Sequence, residues 1–258
     1  MLLFTESRRK RLNNSPFPPD WLRLVERRVP IYRRLAPADQ EELQGHIQVF
    51  IAEKHFEAGR GLSMTDEIRV TIAAQACLLI LHRETDYFPG LSSIVVYPDE
   101  FVVPFSEADE AGIVTEGRDV RSGESWIQGT LVLSWADVLL GGRDGYEDYN
   151  VVIHEFAHQL DDEDGITSGE PLLGRRRCRL WEGVLEEEYL RLREAEARGL
   201  PTLLDPYGAE NPAEFFAVVS ECFFASPVLL RERHAELYGE LARYYRQDPA
   251  AWPGGDAE

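Results

Sequence analysis

Two histidines four residues apart, with a glutamate directly after the first, stand in the segment His154-Glu155-Phe156-Ala157-His158. On a helix, positions four apart share a face, so both imidazoles reach one ion. Glu155 projects about 100° further around the axis, beside that face rather than on it, where a carboxylate takes a proton from metal-bound water. Zinc lowers the pKa of such a water to about 7, and the carboxylate completes its activation. The bland alternative is a helix with two incidentally spaced histidines, one of them hydrogen-bonded in the core. The apolar flanks Val151-Val152-Ile153 and Leu160, on a helical pattern that follows a strand, are the setting in which the motif carries chemistry.

A two-histidine site needs a third protein ligand and an open position. No third histidine follows at the HExxHxxGxxH spacing; the chain runs Asp161-Asp162-Glu163-Asp164-Gly165 instead. A carboxylate on a later helix is therefore expected, and Tyr207 to Glu221 is the richest stretch. Asn211-Pro212-Ala213-Glu214 reads two ways: as a capping box in which Glu214 reaches back to the Asn211 backbone, or as the start of a ligand helix. Glu221 is the rival, two turns on and on the same face, among Phe215, Phe216, Val218, Val219, Phe223 and Phe224. A carboxylate in such company must be paired, metal-bound, or hydrogen-bonded to a ligand histidine, because burying it alone costs on the order of several kcal/mol. Asp161 shares a face with both histidines near the helix end, where the macrodipole disfavours negative charge and a nearby dication would offset the penalty. Asp162, Glu163 and Asp164 fit a solvated acidic turn equally well. Tyr207, between Pro206 and Gly208, is either a turn aromatic closing the core or a hydroxyl facing the site.

These residues must be held by a surrounding fold. Helical patterning is expected near 20–35, 37–54, 65–84, 147–162, 177–198, 212–225 and 228–246, with Thr65 as the N-cap of a helix apolar nearly all round. Strands are expected at 94–97 and 101–103, broken by Pro98-Asp99 as in a hairpin, and at 129–135. Residues 106–125 read as a long acidic loop, 1–19 as a basic arm that docks or frays, and 248 onward as a loose tail. The sum is an α+β chain forming one domain: a helical part over 1–90, a catalytic part over 91–246, and a tail over 247–258.

Of 258 residues, 27 are Lys or Arg and 46 are Asp or Glu, a net charge of −19. Such a surface repels nucleic-acid phosphates and anionic membranes, so basic, cationic or metallic partners are expected. Cys77, Cys178 and Cys222 form neither a disulfide framework nor a metal knuckle, which suits a reducing compartment. The longest apolar run, Val70 to Leu81, falls short of the roughly 20 residues of a membrane span. The N-terminal apolar residues precede the basic cluster, the reverse of a secretory signal. A soluble cytoplasmic protein is the expectation. His46, His55, His82 and His234 are isolated, Cys222 suits a small buried hydrophobe, and Arg175-Arg176-Arg177 a solvated face.

Three segments together, Thr65-Asp66-Glu67-Ile68-Arg69-Val70-Thr71-Ile72-Ala73-Ala74-Gln75-Ala76-Cys77, His154-Glu155-Phe156-Ala157-His158-Gln159-Leu160-Asp161 and Asn211-Pro212-Ala213-Glu214-Phe215-Phe216-Ala217, resemble the Mlc titration factor A family of zinc-dependent peptidases. These are gluzincins whose catalytic core is similar to that of anthrax lethal factor. The resemblance runs from Pro16 to Tyr245 and implies a mostly helical zincin-like fold with a small sheet beside the HExxH helix. It also implies one zinc ion on His154, His158 and Glu214, Glu155 as general base, and Tyr207 as electrophile toward the substrate carbonyl. The implied activity is aminopeptidase-like. The implied alternative is a regulatory factor that binds an Mlc-like transcriptional repressor and keeps it from DNA. One departure stands out: Val218 occupies the position four after Glu214, where an acidic residue would support the histidines, so that support falls to Asp161 or Glu221. The strand Gly129 to Trp135 is expected to offer an edge to an extended peptide substrate.

Overall fold

The computed structural model describes residues 2–99, 101–108, 114–121, 123–126, 129–141, 149–162 and 178–253. The first half is helical. α1 (Leu2–Asn13) and α2 (Pro19–Arg28) precede a 3-10 turn at Pro30–Arg34, then α3 (Pro37–Glu53), the short strand β1 (His55–Ala58) and α4 (Asp66–Leu78). The basic arm docks as a helix: the Arg9 guanidinium pairs with Glu53 and Asp86, each at 2.9 Å. Pro30 ends the helix expected over 20–35, since it has no N–H to give and its ring clashes with the preceding turn. The Thr65 side chain caps α4 by accepting from the Ile68 N–H, and every residue from Val70 to Leu78 is buried, as expected of a central helix.

The sheet follows. β2 (Ser93–Tyr97), β5 (Gly123–Trp126) and β6 (Thr130–Ser134) join β1 in the order β1-β2-β6-β5, with β1, β2 and β6 parallel and β5 antiparallel. Ile94 and Val96 of β2 point into the core while Ser93, Val95 and Tyr97 are half-buried, the period of a strand with one covered face. At Gly129 the backbone turns at φ +74, and its carbonyl accepts from both Ser92 and Ser93, tying the starts of β2 and β6 together. A Cβ there would lie 2.5 Å from the Gly90 carbonyl oxygen.

Two strand expectations differ from the structure. β3 (Phe101–Ala108) pairs with β4 (Val114–Arg121), not with β2, so the hairpin is β3–β4 and the stretch expected to be a loop carries two strands. Main-chain pairing holds that hairpin, and a sequence as polar as Thr115-Glu116-Gly117-Arg118-Asp119 gives little periodic sign of it. Secondly, β6 lies between β2 and β5 and is not an edge; among the described residues, β5 is the edge beside it.

α5 (Trp135–Leu140), α6 (Val151–Asp161), α7 (Cys178–Ala197), α8 (Pro212–Ala225), α9 (Pro227–Arg233) and α10 (Ala235–Tyr245) complete the chain. α9 and α10 replace the single helix expected over 228–246, broken at His234, whose Nδ1 is 2.7 Å from Glu188. The expected loose tail is held through Trp252: the Tyr238 hydroxyl donates to Asp248, Trp252 lies 6.5 Å from the Phe224 ring, and Arg34 lies over its indole.

A strained turn backs the site. His82, Tyr87 and Phe88 all have φ between 56 and 61, where a side chain is rarely at ease. Glu42 accepts from the His82 N–H at 2.7 Å, Lys54 donates to the Phe88 and Leu91 carbonyls, and the Arg9 guanidinium stacks 4.9 Å over the Tyr87 ring. Held so, Phe88 packs against Phe156 of α6 at 4.8 Å between ring centroids, and Phe50 adds a third ring at 5.6 Å.

Candidate metal centre

α6 begins at Asn150, whose side chain accepts from the Ile153 N–H and donates to the Gly141 carbonyl, both at 3.0 Å. Glycine at 141 allows that approach, because a Cβ would sit 2.9 Å from Asn150. With Val152, Phe156, Ala157 and Leu160 buried in the core, the remaining face of α6 turns His154 and His158 toward α8. Both imidazoles are 13% exposed.

α8 begins at Asn211, with Pro212 at its first position, and the Asn211 side chain accepts from the Glu214 N–H at 3.0 Å. Asn211 thus performs its half of the capping pattern. The Glu214 carboxylate turns the other way: its Oε2 lies 3.0 Å from His154 Nε2 and 3.4 Å from His158 Nε2, while the two Nε2 atoms are 3.3 Å apart. These three donor atoms form a group able to hold a metal ion.

The donor chemistry fits a divalent cation. His154 Nδ1 is 2.7 Å from Glu221 Oε1, and an ionised carboxylate only accepts, so Nδ1 carries a hydrogen. With Nδ1 turned to Glu221, His154 Nε2 faces the Glu214 oxygen and His158 Nε2, where a proton or a metal cation must lie between nitrogen and oxygen. Two imidazole nitrogens and a carboxylate oxygen suit zinc and its neighbours.

The same groups are coupled by charge. Burial alone would lift the Glu214 carboxyl, but hydrogen bonds and charge from His154 and His158 hold it down to about 2. Burial alone would depress His154, but its bonds to Glu214 and Glu221 raise it well above the usual histidine range. Glu155, 6% exposed, has its pKa raised by burial, with the charges of His154 and His158 opposing the rise. A carboxyl raised in this way holds a proton more readily than an exposed glutamate.

Tyr207 stands in a 3-10 turn, Pro206–Ala209, where Asp205 accepts from its backbone N–H at 2.9 Å. Its ring is 6.0 Å from the His154 ring and the residue is 47% exposed, so it lines the site rather than closing the core. Asp161 is fully buried at the end of α6, and Cys222 is buried as expected. Residues 163–165 and the Arg175-Arg176-Arg177 patch lie outside the described residues. Sequence reasoning missed Asn150; an Asn directly before the apolar run Val151-Val152-Ile153 is the signal that marks it as a cap.

Two histidines a turn apart on one helix, met by a carboxylate from a second helix with a buried glutamate alongside, are the donor arrangement that metallopeptidases use. The chain belongs to the glucose-regulated metallo-peptidase M90 family, whose model matches residues 4–246. An uncharacterized protein of Synechocystis sp. is 41% identical over 244 residues, 94% of this chain and 89% of the relative. Mlc titration factor A of Yersinia pestis and that of Yersinia pseudotuberculosis are each 33% identical over 228 residues, 86% of this chain and 83% of theirs. Membership in that family implies a divalent metal and peptide substrates. No single helix among the described residues is long and apolar enough to cross a membrane.

Proposed function

We propose that this chain acts as a single-domain zinc-dependent peptidase with aminopeptidase-like activity. The observation that supports it is the meeting of His154, His158 and Glu214 donor atoms directly beside buried Glu155. His154 and His158 through Nε2, and Glu214 through Oε2, are the atoms that would hold one zinc ion. Zinc bound there supplies Lewis acidity toward a carbonyl and lowers the pKa of water in contact with it.

The protein's own groups do the rest. Glu155 takes the proton of the attacking water on its carboxylate and delivers it to the leaving amine nitrogen. The Tyr207 hydroxyl donates to the carbonyl oxygen as negative charge grows there. Packing around α6 keeps bulk water from Glu155 and makes its carboxylate a stronger base than an exposed one. An extended peptide adds along β5, the strand that lies against α6. The reading places the protein in the cytoplasm, in keeping with the buried Cys77 and Cys222.

The direct experiment is Glu155→Gln, which keeps the shape and removes the base. Zinc content should match the wild type while chelator-sensitive peptide hydrolysis falls by about 100-fold or more. Hydrolysis at a near wild-type rate would dismiss Glu155 as the base.

A second reading draws on the name of the Yersinia relatives. In it, the chain chiefly binds an Mlc-like transcriptional repressor, with peptidase activity secondary, and a net charge of −19 favours a basic DNA-binding partner. A pull-down of such a repressor by the Glu155→Gln protein and by chelator-treated protein separates the two roles. Loss of capture in both would tie binding to the metal site and count against an independent binding role.

A further inference from the structure

We propose that Glu221 is the positioning residue of the metal centre: one buried carboxylate that fixes both the His154 imidazole and the start of the helix carrying it. Glu221 stands seven residues after Glu214 on α8, two turns along the same face. Its side chain is 6% exposed. Oε1 accepts from His154 Nδ1–H at 2.7 Å, and Oε2 accepts from the Asn150 backbone N–H at 2.5 Å. That N–H precedes the first turn of α6, where backbone donors lack partners within the helix. A single rigid group therefore sets the ring angle of His154, the hydrogen on its Nδ1, and the height of α6 against α8.

The arrangement accounts for the departure noted in the sequence. Val218, four residues after Glu214, is buried and cannot support a ligand. The supporting acid has moved to Glu221, where α8 still faces the Asn150 end of α6. Burial leaves the Glu221 carboxylate dependent on its partners, because an unpaired charge out of water is expensive. Glu214 and Glu221 thus place the direct donor and its support on one helix, and α6 and α8 carry the centre as a pair. A carboxylate on the far nitrogen also makes the near nitrogen a stronger donor.

This inference rests on the zinc reading of the site, and the test separates the two. Zinc affinity of the full chain is measured by chelator competition for the wild type and for Glu221→Gln, with 15N-edited NMR of the imidazoles in the zinc-loaded protein. Glu221→Gln is expected to weaken zinc by about 10–100-fold with unchanged helical circular dichroism. The wild-type spectrum is expected to show His154 bound through Nε2, with a slowly exchanging Nδ1 proton that exchanges faster in the variant, whose single amide oxygen must serve both His154 and the Asn150 N–H. Wild-type affinity within about twofold in the variant, with that proton still protected, overturns the proposal. Should the variant fail to fold, the wild-type spectrum decides: binding through Nδ1, or a freely exchanging Nδ1 proton, overturns it. A wild type that takes up no zinc on these residues sinks the peptidase reading and this inference together.

Discussion

Replacing Phe156 with alanine tests whether the aromatic packing behind α6 holds the metal-binding face in place. Phe156 is fully buried, with the Phe88 ring at 4.8 Å and the Phe50 ring at 5.6 Å. Truncating a buried phenylalanine costs about 3–5 kcal/mol from lost transfer energy and the cavity left behind. Two ring–ring contacts go with it, which puts this site in the upper half of that range. One effect opposes. Phe88 sits at φ 56, a conformation that stores on the order of 1–3 kcal/mol, and its movement into the vacated space releases part of that strain. The net expectation is a loss of about 4 kcal/mol, a large share of the roughly 5–15 kcal/mol of a typical domain. Urea unfolding of the chelator-treated protein measures it as a lower midpoint at unchanged slope. Zinc at 100 times its dissociation constant should then return about 2.7 kcal/mol to wild type and variant alike, if the variant still presents both histidines. Phe156→Leu, which keeps most of the volume, should lose less than about 1.5 kcal/mol. A loss below about 1 kcal/mol for Phe156→Ala would refute the claim that this cluster supports α6.

Two further predictions concern other supports. The hydrogen bond with His46 holds the Glu42 carboxyl down to about 2, helped by the His82 N–H and charge. A carboxyl depressed in the fold adds stability that is present above its unfolded value near 4.5 and lost as pH falls toward 2. The Glu42 side chain is 35% exposed, so solvent screening cuts the nominal value to about 1 kcal/mol. Glu42→Gln should lose that amount at pH 7 and match wild type near pH 2; equal stability at both ends would contradict the assignment. Asn211→Ala removes the acceptor for the Glu214 N–H and should cost about 1 kcal/mol in urea unfolding. It should also weaken zinc in chelator competition, because the freed turn is the one that carries Glu214. Undiminished stability would show that the cap contributes nothing.

Much of the candidate site was legible because it is written at helical spacing. The His154–His158 interval forces a shared face wherever the helix lies, and the apolar residues around it say which side is buried. The fate of Glu214 was not legible. Asn211-Pro212-Ala213-Glu214 satisfies a capping box and a ligand position equally, and the choice depends on α6 arriving opposite α8. Glu221 was recognisable as a buried acid needing a partner, but nothing local names that partner as His154 and the Asn150 N–H. The strands at 94–97 and 129–135 were legible, but β1 escaped for the same reason. β1 is four residues long with two charged or polar side chains, and only its pairing with β2 makes it a strand. The left-handed turn at His82, Tyr87 and Phe88 has no glycine to announce it and survives because Glu42, Lys54 and Arg9 clamp it from outside.

Residue order alone determined the helices, their caps, the two imidazoles on one face and the shortlist of acids, since these follow from interactions within a few residues. Which acid meets which imidazole was decided only when α8 packed across α6. Contacts spanning 60 residues or more, such as Glu214 to His154 and Glu221 to His154, exist only in the packed chain. Spacing along a chain fixes direction around a helix axis; the distance between two axes belongs to the core that presses them together.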